Sequence, residues 1–328
     1  MPLNIAILGA GLMGRWHARC AARAGATITA IIDTNAAAAE ALRRRHRGAA
    51  VFGDLASALN SAAIDIVHIC TGIDNHALLA TQCLQADKHL LVEKPLAATL
   101  AQTQQILALA EEKGLYINPV HQFPFQRGFR KLLGHRADLG ELVSLHYTTY
   151  SAGGTGKTDS QRKAILLEIL PHPVSLFRPL LGDSLADEDS RTLTFTSDDL
   201  VVTGQSRNIR WTITISLRAR PTRNELLVAG ASATALVDFF HGYCVVETGD
   251  PSPLNKMLRP LLFGSTLLTT ASANLLARAV RREPAYPGLG ELIARFYRSL
   301  QNKSSPPISA EEMLETAAFI DKISNAAP

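Results

Sequence analysis

A short apolar run, Ile5–Leu8, leads directly into Gly9-Ala10-Gly11-Leu12-Met13-Gly14, and an amphipathic stretch follows. No other feature of the chain restricts its fold so strongly. The spacing predicts a strand, a tight turn and a helix, with a separate task for each glycine. Gly9 permits the turn, Gly11 lets the main chain approach a pyrophosphate, and Gly14 lets helix and strand pack closely. Leu12 and Met13 would open the helix, whose N-terminal N–H groups and dipole attract phosphate. A second apolar run, Thr27–Ile32, ends at Asp33, where a carboxylate can accept both hydroxyls of a ribose. The same charge would repel a 2′-phosphate, which favours NAD over NADP.

Further apolar runs follow at Ile64–Cys70, His89–Val92 and Leu115–Asn118, separated by helical stretches such as Met13–Ala24 and Leu100–Lys113. Strands that are apolar throughout and alternate with helices imply a parallel sheet covered on both faces. Beyond about Val120 the period changes. In Arg210–Arg218, Trp211, Ile213, Ile215 and Leu217 alternate with Thr212, Thr214 and Ser216, which describes a strand with one covered face. Leu142–Tyr150, Leu226–Val228 and Tyr243–Glu247 read as further strands, and Glu291–Leu300 and Ala310–Ile323 as C-terminal helices. The expectation is an α/β chain in two parts. Residues 1–120 form a dinucleotide-binding, doubly wound parallel sheet of the Rossmann type. Residues 121–328 form an α+β domain with a largely antiparallel open sheet.

Composition excludes several classes. Hydrophobic residues make up 47% of the chain and charged ones 19%, which suits a large core rather than disorder. The net charge of +4 is small, the basic residues are scattered and aromatics reach only 6%, so a nucleic-acid groove is not expected. Cys20, Cys70, Cys83 and Cys244 show no metal-ligand spacing, and no metal site is expected. This cysteine usage fits a reducing compartment, and the first residues do not read as a signal peptide, so a cytoplasmic location is expected. The uncharged stretch Pro260–Ala277 is rich in Ser and Thr and reads as a packed or interface helix rather than a membrane span.

The segment His89–Ala97 carries Glu93-Lys94-Pro95 at the end of a strand. With Cys70–His89 upstream and Glu225–Phe240 and Tyr286–Ile320 downstream, it resembles the glucose–fructose oxidoreductase, inositol dehydrogenase and MocA family over nearly the whole chain. That resemblance implies an NAD(P)-dependent dehydrogenase or reductase acting on a sugar, cyclitol or related polyol. Lys94 would lie beside the nicotinamide and the reacting oxygen, where an ammonium stabilises a developing alkoxide. Glu93 and Pro95 complete that turn, and the resemblance implies a cis bond before Pro95. Thr71, His76, His121 and Gln122 fall on the cofactor side by the same likeness. The family's helix with an acid and a histidine four residues later corresponds to Glu168 and His172, one face of an undistorted helix. His172 would exchange the hydroxyl proton as general base or acid, and Glu168 would position it or the substrate.

Three departures stand out in this segment. Glu168 replaces the usual Asp, Ser175 stands where a second Asp often follows, and Pro171 and Pro173 flank His172. Prolines there remove backbone bonds and kink a helix. The likeness also admits a redox-neutral glycosidase-like enzyme, or a cofactor-binding regulatory protein. It implies a homodimer or homotetramer formed through the open sheet. Ser151–Thr158 imitates a phosphate-binding P-loop without its first glycine. Its neighbours Lys157, Arg162 and Lys163 would suit an anionic substrate.

Overall fold

A computed structural model describes residues 2–182, 185, 192–249, 252–283 and 285–326. The chain divides into two compact units: Met1–His121 with Leu289–Asp321, and Gln122–Gly288 with Lys322–Pro328.

In the first unit, β1 (Asn4–Leu8), α1 (Leu12–Arg23), β2 (Thr27–Ile32), α2 (Ala36–Arg43), β3 (Ala50–Phe52) and α3 (Leu55–Ser61) form one half. The other half is β4 (Ile66–Ile69), α4 (His76–Gln85), β5 (His89–Val92), α5 (Leu100–Glu112) and β6 (Ile117–Pro119). All pairings are parallel and the strand order is β3-β2-β1-β4-β5-β6. Strands β1, β4 and β5 are largely apolar, with His68 the buried exception, because helices cover both faces, leaving Ile5, Ile7, Ile66, Val67, Leu90 and Leu91 inaccessible to solvent. Parallel pairing also brings the carboxyl ends of all six strands to one edge. The order reverses between β1 and β4, the place where such sheets hold ligands.

The second unit contains α6 (Arg127–Gly134), β7 (Leu142–Tyr150), α7 (Asp159–Ile169), α8 (Pro171–Leu181), β8 (Thr192–Phe195), β9 (Asp199–Ser206) and β10 (Ile209–Ser216). After these come β11 (Arg223–Gly230), β12 (Ala233–Asp238), β13 (Tyr243–Thr248) and α9 (Pro253–Val280). Its sheet runs β13-β12-β11-β7-β10-β9-β8. Every pairing is antiparallel except that of β7 with β10. The predicted alternation holds: Trp211, Ile213 and Ile215 are fully buried, while Thr212 and Thr214 are only partly covered. A side chain on Gly204 would put its Cβ 2.1 Å from the Trp211 ring, so glycine there makes room for the indole.

Two differences from the sequence reading have clear causes. The reading runs the second domain to residue 328, but α10 (Leu289–Asn302) and most of α11 (Ala310–Asn325) belong to the first unit. There α10 packs on α1, burying Leu292, Ile293 and Phe296. An amphipathic pattern says that one face is covered, not which partner covers it. The stretch read as Pro260–Ala277 extends to the 28-residue α9, and none of its residues is buried. Asp159–Leu181 and α9 are both long and apolar enough to cross a bilayer by length and composition. Half of the most apolar window of the first is buried within the protein.

Candidate active site

The glycine turn has the predicted stereochemistry. Gly9 sits at φ +101°, where a side chain would strain the backbone and its Cβ would lie 2.6 Å from the Cys70 carbonyl oxygen. A Cβ on Gly14 would fall 1.8 Å from the Gly9 oxygen and 3.2 Å from Ile7, so α1 can close on β1 only with glycine there. Gly11 is exposed, and a Cβ there meets nothing within 4 Å. This open approach beside a helix N-terminus fits a phosphate group. Leu12 is 54% exposed in the first turn of α1, with Met13 half-covered beside it.

Asp33 follows β2 and turns back on this loop. One carboxylate oxygen accepts the Ala10 N–H at 2.6 Å and the other accepts the Asn35 N–H at 2.7 Å. Its remaining lone pairs can still accept ribose hydroxyls. Thr71 lies beyond β4, half-covered, and its carbonyl faces His76 Nε2 at 3.1 Å. The other nitrogen of His76 faces the Pro95 carbonyl at 2.9 Å. The buried ring of His76 thus links the loop after β4 to the turn after β5. Its place is between two peptide groups rather than on an open surface.

Glu93-Lys94-Pro95 leaves the carboxyl end of β5, and the Lys94–Pro95 bond is cis. Glu93 is 8% exposed, and its Oε1 lies 3.0 Å from His17 Nε2. His17 Nδ1 lies 3.1 Å from His68 Nδ1, and His68 Nε2 lies 2.9 Å from the Tyr297 hydroxyl. Both histidines are wholly buried and Tyr297 is 3% exposed. One head-to-tail run of donors satisfies every atom. Tyr297 donates to His68, His68 to His17, and His17 to the carboxylate.

Burial pushes His68 well below the usual histidine range, with His17 acting in the same direction. Desolvation alone would raise Glu93, but the bond and charge of His17, with Lys94, outweigh it and hold the carboxyl below its ordinary value. Burial pushes the Tyr297 phenol well up, which keeps it a donor. The sequence reading does not find this chain because its links join residues far apart, 229 positions between His68 and Tyr297. The only hint is a histidine three positions beyond Gly14, and an isolated helical histidine reads as core.

His121, at the exit of β6, is 3% exposed. Burial lowers its pKa to about 4, with Lys94 adding to the fall and Glu93 opposing it. A neutral imidazole therefore lies within electrostatic reach of the Lys94 ammonium. Gln122 is also buried and begins the second unit.

In the second unit, Glu168 is the penultimate residue of α7 and His172 is the second residue of α8. The prolines split the expected single helix at Leu170, although Leu170 keeps right-handed helical angles of −53° and −36°. Pro171 and Pro173 have no N–H to offer the preceding turn, and the Val174 N–H to Leu170 oxygen bond, at 3.3 Å, resumes the ladder. The His172 ring stacks on Phe123 with centroids 4.0 Å apart and planes 11° from parallel, and Phe123 stacks in turn on Phe239 at 4.9 Å. Of the cations noted near the glycine-rich loop, Arg162 pairs with Asp159 and Asp198, and Lys163 lies over the Phe195 ring at 5.7 Å. Among the described residues no group of three or more His, Cys, Asp or Glu side chains could hold a metal ion.

Comparisons with known proteins agree with this geometry. The GFO_IDH_MocA family model, described as an oxidoreductase family with an NAD-binding Rossmann fold, matches residues 3–121. Inositol 2-dehydrogenase 2 of Saccharopolyspora erythraea is 28% identical over 200 residues, covering 58% of each chain, less than two thirds of that relative's length. Two solved structures share the fold over nearly their full length. The WlbA dehydrogenase of Bordetella pertussis, in complex with NADH and UDP-GlcNAcA, has a TM-score of 0.75 at 18% identity, covering 99% of this chain and 95% of its own. KijD10, a 3-ketoreductase of Actinomadura kijaniata in complex with NADP and TDP-benzene, has a TM-score of 0.77 at 18% identity, covering 100% and 98%. The glycine turn, Asp33 and the Glu93-Lys94-Pro95 turn, on one edge of a parallel sheet, all lie within the residues 3–121 that match the Gfo/Idh/MocA oxidoreductase family model.

Proposed function

We propose that the protein catalyses hydride transfer between NAD and a secondary alcohol or ketone carbon of a sugar, cyclitol or related polyol. The observation that carries this reading is the meeting of five strand ends. The loops after β1, β2, β4, β5 and β6 bring Gly9–Gly14, Asp33, Thr71, Lys94 and His121 to the carboxyl edge of one sheet. A bound nicotinamide dinucleotide supplies the hydride acceptor or donor.

The chain's own residues supply the rest. Gly11 and the N-terminus of α1 would receive the pyrophosphate, and Asp33 the ribose hydroxyls. The Asp33 carboxylate would repel a 2′-phosphate, which favours NAD over NADP. Lys94 stabilises negative charge growing on the substrate oxygen. Neutral His121 adds no second positive charge beside that ammonium. His172 takes the hydroxyl proton in oxidation and returns it in reduction, while Glu168 orients His172 or a substrate hydroxyl. The substrate class rests on the family and on relatives such as the inositol dehydrogenase.

The test is reduction of NAD and NADP by the purified protein across polyols and nucleotide sugars, beside Lys94→Ala and His172→Ala. Turnover with NAD on one class, lost in both variants while the cofactor still binds, is the expected result. Tight cofactor binding with no turnover on any candidate would overturn the dehydrogenase reading.

A further inference from the structure

The first unit's chemistry leaves the most exposed apolar surface of the molecule unexplained. Along α9, Leu254, Met257, Leu261, Leu262, Leu268, Leu275, Leu276 and Val280 are each between 50% and 85% exposed. At roughly 100 Å2 of apolar surface for each such side chain, the eight present roughly 800 Å2, above the largest patch on most monomers. It equals the share of one partner in a standard interface, about 800 Å2.

The spacing of four of these residues specifies what covers them. Leu254, Leu261, Leu268 and Leu275 recur every seventh residue, and Leu258, Ser265, Ser272 and Ala279 recur with them four positions on. Together they form a seam of a/d spacing along the 28 residues of α9, about 42 Å long at 1.5 Å per residue, with leucine at 254, 258, 261, 268 and 275 and the small Ser265, Ser272 and Ala279 between. A repeat of seven is what a partner helix in a left-handed pair requires, and a lipid surface requires no such period. Two of the helix's three charges point the same way. Arg259 pairs with Glu247 at 2.9 Å, and Arg278 donates to the His241 carbonyl at 2.9 Å, so both turn toward β13 and its flanking turn. Asn274 joins them with a 2.7 Å bond to the His241 carbonyl. The seam on the opposite side carries no charge to meet anionic headgroups.

We infer that α9 pairs antiparallel with α9 of a second copy of this chain, about a two-fold axis near Thr266. In that register Leu254 meets Ala279 of the partner subunit, Leu261 meets Ser272 of the partner subunit, and Leu268 meets Ser265 of the partner subunit. Three of four layers thus set a large knob against a small residue, and only Leu258 with Leu275 of the partner subunit is a large pair. A self-complementary seam of this kind is what an isologous two-fold contact demands.

Light scattering on the eluting full-length protein at micromolar concentration tests the pairing. The double variant Leu261→Glu with Leu268→Glu should halve the mass of the assembly with an unchanged far-ultraviolet circular dichroism spectrum. Ser272→Leu, which overfills a layer without adding charge, should weaken association at least tenfold. Ser265→Cys should yield a covalent dimer with a short bis-maleimide. An assembly mass untouched by both seam variants, or no cross-linked dimer, overturns the inference. So does a monomeric wild type that floats with phosphatidylcholine–phosphatidylglycerol vesicles and loses flotation in the double variant, which would assign α9 to lipid.

Discussion

The two residues proposed for the chemistry are held by different forces. Lys94 follows Glu93, whose carboxylate is the end of a buried hydrogen-bonded chain through His17, His68 and Tyr297. His172 sits in a stack of rings, Phe123 against it and Phe239 beyond, on a helix whose own ladder the prolines interrupt. Buried hydrogen bonds are directional and costly to leave unmade, whereas stacked rings slide at little cost. The first turn is therefore rigid and vulnerable to changes far away in sequence. The second residue tolerates local repacking.

The largest effects test the two residues themselves. Lys94→Ala should lower kcat by about 10²–10³, and His172→Ala by about 10²–10⁴, as measured by steady-state rates at saturating cofactor. A loss in only one of them would mean that the two do not serve one reaction.

Next in size is the contrast in anchoring. His17→Ala leaves a buried carboxylate and His68 without their partner, and should cost about 3–5 kcal/mol in urea unfolding. A change below about 1 kcal/mol would show that the polar chain does not hold the turn.

Acid provides a third measure. The free histidine pKa of 6.5 falls to about 4 in native His121. The unfolded chain therefore binds a proton in this window that the native chain refuses. Stability from this group is complete above pH 6.5 and drains away as pH falls toward 4, by about 3 kcal/mol. Glu93, held below its usual value, loses its contribution in the same direction. The gap between urea midpoints at pH 7 and pH 4.5 should narrow in His121→Gln, with buried His68 and Glu93 sustaining the rest of the decline, and an equally steep decline in that variant would remove His121 as a cause.

The smallest effect should come from the stack. Phe123→Leu should cost about 1 kcal/mol of stability and lower kcat several-fold while leaving cofactor affinity unchanged. If cofactor affinity falls instead, the ring does not act through His172.

Much of this contrast could be read before any coordinates. Residues with a local signature were legible: Gly9 and Gly14 through the demands of one turn, Asp33 through its place at a strand end, Lys94 through its Glu-Lys-Pro context. β2, β5 and β7 match their predicted limits residue for residue, because continuous or alternating burial marks a strand. The short β3 and the strands β8, β9 and β12 went unassigned. They are brief or polar along one face, and pairing rather than composition makes them strands. Phe123 also escaped notice, since nothing in the sequence links it to a histidine on another element.

The amino-acid sequence alone determined the period of each element, the glycine turn and the chemical types available at the strand ends. Those properties depend on neighbours in the chain, on sterics at single residues and on hydrophobic spacing. Only the tertiary structure decided which faces meet. It returned α10 to α1, joined His17 to Glu93 across 76 residues, and left the leucines of α9 exposed on its surface. Burial and hydrogen bonding between distant residues are properties of packing, and the same amphipathic pattern serves a core helix, a docked helix or a seam for a second copy.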